Sequence, residues 1–263
     1  MATSKSLPKS KSKGDALYEG THTTFHKGPE PGTLIQQFKD EWTFKDTETP
    51  TLIHGKGAIN SSLSETLLLC LETVGLETNF VRRLNMREHL VQDLQSLPLI
   101  FTMRNVAYDE FATSLGLPEG IHLPEPHMEF RYTSPKKPMV NESQILSFDW
   151  ANKQELEQIQ SIATRINDFL SGYFYAKGFS LVDFNFRLAR FSHEEFIDSQ
   201  ALLILNSDLC LDAVRLMDNK SGEIYGRDDN ETDAGKLSQR FQDLAQRLDI
   251  LPGNANSNDK DTK

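Results

Sequence analysis

Apolar and polar residues alternate through Leu181-Val182-Asp183-Phe184-Asn185-Phe186-Arg187-Leu188. This predicts a strand with Val182, Phe184, Phe186 and Leu188 on one face and Asp183, Asn185 and Arg187 on the other. That polar face is either the solvated side of a half-buried antiparallel strand or the edge of a site. Ahead of it, Leu17 to Phe25 and Thr33 to Phe38 read as strands joined by the Gly- and Pro-rich loop 26–32, the first hairpin of an antiparallel sheet. After a polar stretch from Lys39 to His54, the residues Ile59, Leu63, Leu67, Cys70, Leu71 and Val74 recur at helical spacing behind Gly55-Lys56-Gly57 and stop at Gly75, the stripe of a core-facing helix. Asn79 to Arg83, His89 to Leu94, Leu97 to Arg104 and His127 to Tyr132 are further strands. Asp109 to Leu115 is a short helix closed by Gly116, and 134–143 is loop. The longest helix starts near Asp149 or Asn152, shows Leu156, Ile159, Ala163, Ile166, Leu170 and Tyr173 at helical spacing, and ends at Gly178. Beyond the alternating strand come a turn at His193-Glu194-Glu195 and a strand from Ala201 to Leu205. A polar insertion follows Asp218, and a last helix uses Leu237, Phe241, Leu244 and Leu248.

Charge and composition narrow the partners. A net charge of -10 argues against nucleic acid and anionic membrane, which recruit clustered Lys and Arg. An anionic small ligand then needs a local cationic pocket. Two cysteines, Cys70 and Cys210, with no Cys/His spacing, give no disulfide framework and no zinc site. Lys5, Lys9, Lys11 and Lys13 among Ser, Pro and Gly make residues 1–16 a flexible basic arm without the apolar stretch of a secretory signal, and 251–263 read as a disordered tail. No run approaches the length of a membrane span, so the expected location is the cytoplasm. The Gly55-Lys56-Gly57 segment ahead of a helix suggests an anion at the helix start, although three residues fall far short of a phosphate-loop motif.

Several stretches together carry more information than any one alone: Tyr18-Glu19-Gly20, Gly55-Lys56-Gly57, Phe80-Val81-Arg82-Arg83-Leu84, Leu97-Pro98-Leu99 leading to Arg104-Asn105, Pro138-Met139-Val140-Asn141-Glu142-Ser143, Leu181-Val182-Asp183-Phe184, and Asp212 with Arg215-Leu216 and Asp218. In order and spacing the chain, from Leu17 to about Ile250, resembles the phosphoribosylaminoimidazole-succinocarboxamide synthase (SAICAR synthetase) family in its short bacterial form. The resemblance implies a two-lobe α+β fold with an ATP-type cleft between a small antiparallel-sheet lobe, residues 17–104, and a larger lobe, 105–250. It implies ATP and magnesium as cofactors, and ligation of aspartate to carboxyaminoimidazole ribotide in purine biosynthesis. Carried over residue by residue, it places Arg104, Asn141, Glu142, Asp212 and Arg215 at the substrate, Gly20 and Lys56 at the nucleotide, and Asp183 and Asp208 at the metal. It assigns no catalytic residue.

The departures from the family pattern fall where its chemistry lies. The phosphate-cradling Gly-Lys-Ala-Lys turn is Gly20-Thr21-His22-Thr23, and a hydroxyl does not replace a fixed positive charge. The first signature keeps Arg104, but its Glu is Ile100 and its Gly-Ser turn, which in the family lies against the substrate phosphate, is Asp109-Glu110. Like charges about 4 Å apart repel by roughly 4 kcal/mol at an effective dielectric near 20, so a phosphate is expected to be rejected there. In the second signature the Lys is Asn185 and the magnesium-side Glu is Arg187. A guanidinium does not ligate magnesium, and Arg187 is expected to pair with Asp183 as a structural ion pair. Downstream, Asp208 is kept and Ser207 replaces a carboxylate, while the family's Asp-Pro is Lys137-Pro138. These changes predict a catalytically impaired or silent paralogue that binds a small molecule or a protein partner, including an active synthase in a hetero-oligomer, or a copy of itself. Two enzyme readings stand beside it: the ancestral reaction with displaced ligands, and an ATP-dependent amide ligase for an acceptor without phosphate.

Overall fold

A computed structural model describes residues 15–45, 47–191 and 202–250. The first expected strand is broken in two. β1 (Tyr18–Glu19) and β2 (Thr23–Lys27) are separated by a turn in which the Gly20 N–H donates to the Thr23 carbonyl at 2.8 Å. β3 (Thr33–Phe38) returns antiparallel and alternates half-buried with buried positions, as its period-two pattern requires. A short ribbon, β4 (Glu41–Trp42) with β5 (Thr51–Leu52), leads into α1 (Lys56–Thr73), which buries Ile59, Leu63, Leu67 and Leu71. Val74, counted in the helical stripe, is exposed just past the helix end. Gly55 enters α1 in the left-handed conformation at φ +87°, and a Cβ on Gly57 would lie 2.6 Å from the Phe38 carbonyl oxygen; only glycine fits that approach. β6 (Phe80–Asn85) and β7 (Glu88–Gln92) complete an antiparallel sheet in the order β1-β2-β3-β7-β6.

The chain then crosses to its larger sheet. β8 (Gln95–Ser96) precedes β9 (Leu99–Val106), and α2 (Asp109–Leu115) ends at Gly116 in the left-handed conformation, as expected. β10 (His122–Tyr132) begins earlier than the sequence pattern indicates. The stretch 134–143, expected as loop, contains β11 (Met139–Val140) and the start of α3 (Glu142–Ser147). α4 (Lys153–Ala176) opens on a reciprocal cap, in which Asn152 accepts from the Glu155 N–H and Glu155 accepts from the Asn152 N–H, both at 2.9 Å. It lays Ile159, Ala163, Ile166, Leu170 and Phe174 onto β12 (Phe179–Phe186). β13 (Leu188–Phe191), β14 (Leu202–Leu205), β15 (Val214–Asp218), β16 (Ile224–Gly226) and α5 (Ala234–Arg247) follow. The last two strands are missed by the sequence pattern, because β15 lies among charged residues and β16 inside the polar insertion.

The larger sheet runs β11-β10-β9-β12-β15-β16, and a smaller one runs β14-β13-β8. The chain passes from the first sheet to the larger one between Gln92 and Leu99. One apolar core joins them, from Trp42, Leu63 and Leu71 through Phe101 and Phe184 to Phe241. Trp42 meets Phe241 of α5 edge-on at 5.9 Å. Residues 1–14 of the arm, the tail and the turn at His193 lie outside the described residues. Among the described residues no helix is long and apolar enough to cross a membrane.

One titratable group in the small lobe couples fold to pH. His89 on β7 is fully buried, with Phe38 and Phe80 edge-on at 4.9 and 5.0 Å and its Nε2 2.9 Å from the Ser61 hydroxyl. Burial, with the Arg83 charge second, pushes its pKa down from 6.5 to about 4. Below 6.5 the unfolded chain takes up a proton that the folded chain refuses, so this site costs stability as pH falls from about 6.5 to 4, by roughly 3 kcal/mol over the window. Urea unfolding across that window should show a shallower acid-side loss for His89→Gln than for the wild type. An identical loss in both would contradict the assignment.

Candidate functional site

Three neighbouring strands bring the charges together. In the register of β9, β12 and β15, Asp183 stands directly between Arg104 on one side and Arg215 on the other. The alternation read from the sequence slips at a bulge between Leu181 and Asp183. Val182 therefore turns to the charged side and packs on Val106 and Ile224, while Leu181, Phe184 and Phe186 face the main core. Asp183 is 0% exposed. Its Oδ2 accepts from Arg104 Nη1 at 2.8 Å and lies 3.6 Å from Arg215 Nη1, and its Oδ1 accepts from Arg227, which follows β16. Arg104 also pairs with Glu129 of β10 at 3.0 Å. Arg215 reaches outward to Asp109 at 2.8 Å and to Asp228 at 2.6 Å. The rings of Phe111 and Tyr108 lie under Arg104 and Arg215, each 5.2 Å from the guanidinium carbon. Burial alone would lower the pKa of Arg215, but Asp183, Asp109 and Asp228 outweigh it and hold it above the ordinary arginine value. A buried carboxylate is stable only with such partners.

The second cluster ties the small lobe to the segment before β15. Lys56, at the start of α1, is fully buried, and its Nζ lies 2.5 Å from Asp212 Oδ2. Asn60, one turn on, donates to the same oxygen at 2.6 Å and accepts from the Leu211 N–H at 3.2 Å. His22 Nδ1 stands 3.5 Å from Asp212. An ammonium with no exposed surface meets an external phosphate only by leaving Asp212. The helix start itself is occupied by the chain's own anion: Asp40 Oδ1 accepts from the Gly57 N–H at 2.8 Å, and Asp40 in turn pairs with Arg87.

Of the other expected site residues, Asp208 lies half-buried beside Cys210. Its carboxyl is pushed up to about 6, first by burial and then by the Asp212 charge, with Arg187 pulling the other way. Arg187 thus corrects one expectation: it answers Asp208 rather than Asp183. It sits in the gap between β12 and β13, exposed, while Arg227 and the two cross-strand arginines hold Asp183. Asn141 serves as the N-cap of α3, accepting from the Gln144 N–H at 2.9 Å, and Glu142 is exposed in the first turn of that helix. Gly20 is exposed at the β1–β2 turn. Arg227, Asp228, Glu129, Asn60 and Asp40 were not singled out by the sequence. Arg227 and Asp228 sit in a polar insertion with no periodicity, and the others signal nothing until the sheets are paired.

These donors do not fit a magnesium ion. Both oxygens of Asp183 face guanidinium groups, and among the described residues no three or more His, Cys, Asp or Glu side chains are grouped to hold a metal. A family model for SAICAR synthetase matches residues 16–249. The chain belongs to the SAICAR synthetase family. It is 38% identical to a phosphoribosylaminoimidazole-succinocarboxamide synthase of Dinoroseobacter shibae, over 94% of this chain and 96% of that protein. It is 40% identical to the synthase of Acidiphilium cryptum, over 90% of this chain and 92% of that one. Among solved structures, the synthase of Ehrlichia chaffeensis superposes with a TM-score of 0.83 at 31% identity, covering 91% of this chain and all of that one. A SAICAR synthetase in complex with ADP superposes at 0.79 and 28% identity, covering 88% and 96%. The α+β fold with antiparallel sheets expected from the motifs is thus the fold of SAICAR synthetase structures.

Removing the charge at each carboxylate expected at the metal separates a structural ion cage from a metal site. At pH 7.5, Asp183→Asn should cost about 3–5 kcal/mol in urea unfolding, because it strands buried guanidinium groups. Asp208→Asn should raise stability under the same conditions, since a carboxyl whose folded pKa is raised loses stability as pH climbs through about 6. A gain for both variants would mean that both carboxylates repel neighbours in an empty metal site, against this assignment.

Proposed function

We propose that this member of the SAICAR synthetase family does not catalyse ATP-dependent ligation and acts as a silent paralogue, through binding. The observation that carries the reading is the burial of Asp183 among Arg104, Arg215 and Arg227. The reaction implied by kinship joins aspartate to carboxyaminoimidazole ribotide. It needs carboxylates for magnesium, free cations for ATP phosphates and an open cationic pocket for a ribotide phosphate. Here the central carboxylate is neutralised, Lys56 is sealed against Asp212, and Asp109 and Asp228 occupy Arg215. Each group that would meet a charged ligand already meets a residue of its own chain. Binding of a protein partner, including an active synthase through a shared oligomer surface, is the role that kinship without turnover leaves. Net acidity speaks against nucleic acid and anionic membrane as partners.

Two readouts test this. Magnesium-ATP present at 100 times a dissociation constant would stabilise the fold by about 2.7 kcal/mol, so a thermal-shift titration should show no rise across a broad range. ADP release with aspartate and carboxyaminoimidazole ribotide should stay at the protein-free background, while the Acidiphilium cryptum synthase assayed alongside turns over. Turnover within about tenfold of that relative, a difference of only ~1.4 kcal/mol in barrier, would overturn the proposal.

A further inference from the structure

Arg215 is an unusual buried cation, because its outer partners are surface groups. The guanidinium is 3% exposed, whereas Asp109 and Asp228 are 42% and 57% exposed. The two carboxylates therefore stand between the arginine and solvent, where a ligand entering from outside would have to stand. They do not satisfy the arginines fully: Arg215 Nε and Nη1 and Arg227 Nε are buried and have no hydrogen-bond acceptor among the described residues, despite the close ion pairs. Buried donors left without an acceptor in this way call for an explanation.

The backbone supplies an independent observation. Asp109 and Asp228 are both left-handed, at φ +50° and +59°. An L-residue with a side chain pays for that conformation and glycine does not. Both acids are thus held at positions whose backbone glycine would adopt at less cost, and what each contributes there is a carboxylate to Arg215. The backbone at Asp109 is fixed by its N–H donating to Glu119 at 3.0 Å, and the Asp228 carboxylate is also held by Arg227 at 2.9 Å.

We infer that Asp109 and Asp228 are a built-in competitor for phosphate, filling with their own carboxylates an oxyanion pocket made by Arg215 and Arg227. The ligand class excluded is inorganic phosphate and phosphate monoesters. The inference rests on the reading above only in placing these arginines at a ligand edge, and it names the class of ligand that the edge refuses.

Inorganic phosphate is the probe, read by isothermal titration calorimetry and phosphorus NMR without ATP or magnesium. The Asp109→Gly, Asp228→Gly double variant should bind phosphate at least about a hundredfold more tightly than the wild type, since two charges close to the bound anion have been removed. Adding Arg215→Met should abolish the gain. The Asp109→Asn, Asp228→Asn variant keeps the side-chain volume, and asparagine tolerates the left-handed backbone. It should show the same gain and carries the test if the glycine variant does not fold. A folded double variant with wild-type phosphate affinity, or a wild type that already binds phosphate as tightly as the variants, would overturn the inference. Ligation of an acceptor without phosphate by the wild type would sink the silent-paralogue reading alone, ligation of carboxyaminoimidazole ribotide would sink both, and absence of a phosphate gain would sink this one alone.

Discussion

A carboxylate with no exposed surface at the centre of a sheet must be neutralised where it stands, and Asp183 sets that constraint for the larger lobe. Its cross-strand neighbours fix the pairing of β9, β12 and β15, because a one-residue slip on either side would replace an arginine with a residue of the other face. The bulge at Leu181 is part of the same solution. It lets Val182 and Asp183 share a face, so that a small apolar cluster seals one end of the charged row. Arg227 closes the other end, and the turn that presents it begins at Gly226, where a Cβ would clash with the Val214 carbonyl oxygen. Strand register, bulge and glycine turn are thus three consequences of one buried charge.

The Lys56–Asp212 pair does for the lobes what Asp183 does for the sheet. It links the first residue of α1 to the segment before β15, beneath Trp42 and beside Asn60. Both charges lie in the interior, so breaking either side leaves the other uncompensated. The two clusters use residues that the resemblance led us to expect at the metal, the nucleotide and the substrate. Ligand-binding charges normally stay unsatisfied until the ligand arrives, which is why they cost stability. In this chain the charges are paired internally.

Much of this was legible from the sequence, for identifiable reasons. α1, α2, α4 and β3 follow from apolar spacing and from glycine or Asn152 at their ends, since burial of one face and capping are local requirements. β15 and β16 were not legible. The arginine of Val214–Asp218 is buried by partners far along the chain, and a strand that buries charge breaks the alternation rule. The polar row of Asp183 and Asn185 was legible, and its partners were not. Arg187, four residues on from Asp183, looked the natural mate, but strand pairing brings in Arg104, Arg215 and Arg227 and leaves Arg187 in a gap beside Asp208. Asp109 was seen as a charge where the family pattern has glycine, and only the fold shows that it adopts a left-handed backbone while turning onto Arg215.

The central claim is that guanidinium groups, and not a divalent cation, neutralise Asp183. Manganese, a paramagnetic stand-in for magnesium, tests it directly when titrated into the full chain with and without ADP and followed by electron paramagnetic resonance. The account predicts that the free-ion signal is the same with and without protein, and with ADP that it is reduced only as much as by ADP alone. A protein-bound manganese at one equivalent, lost in Asp183→Asn, would contradict it.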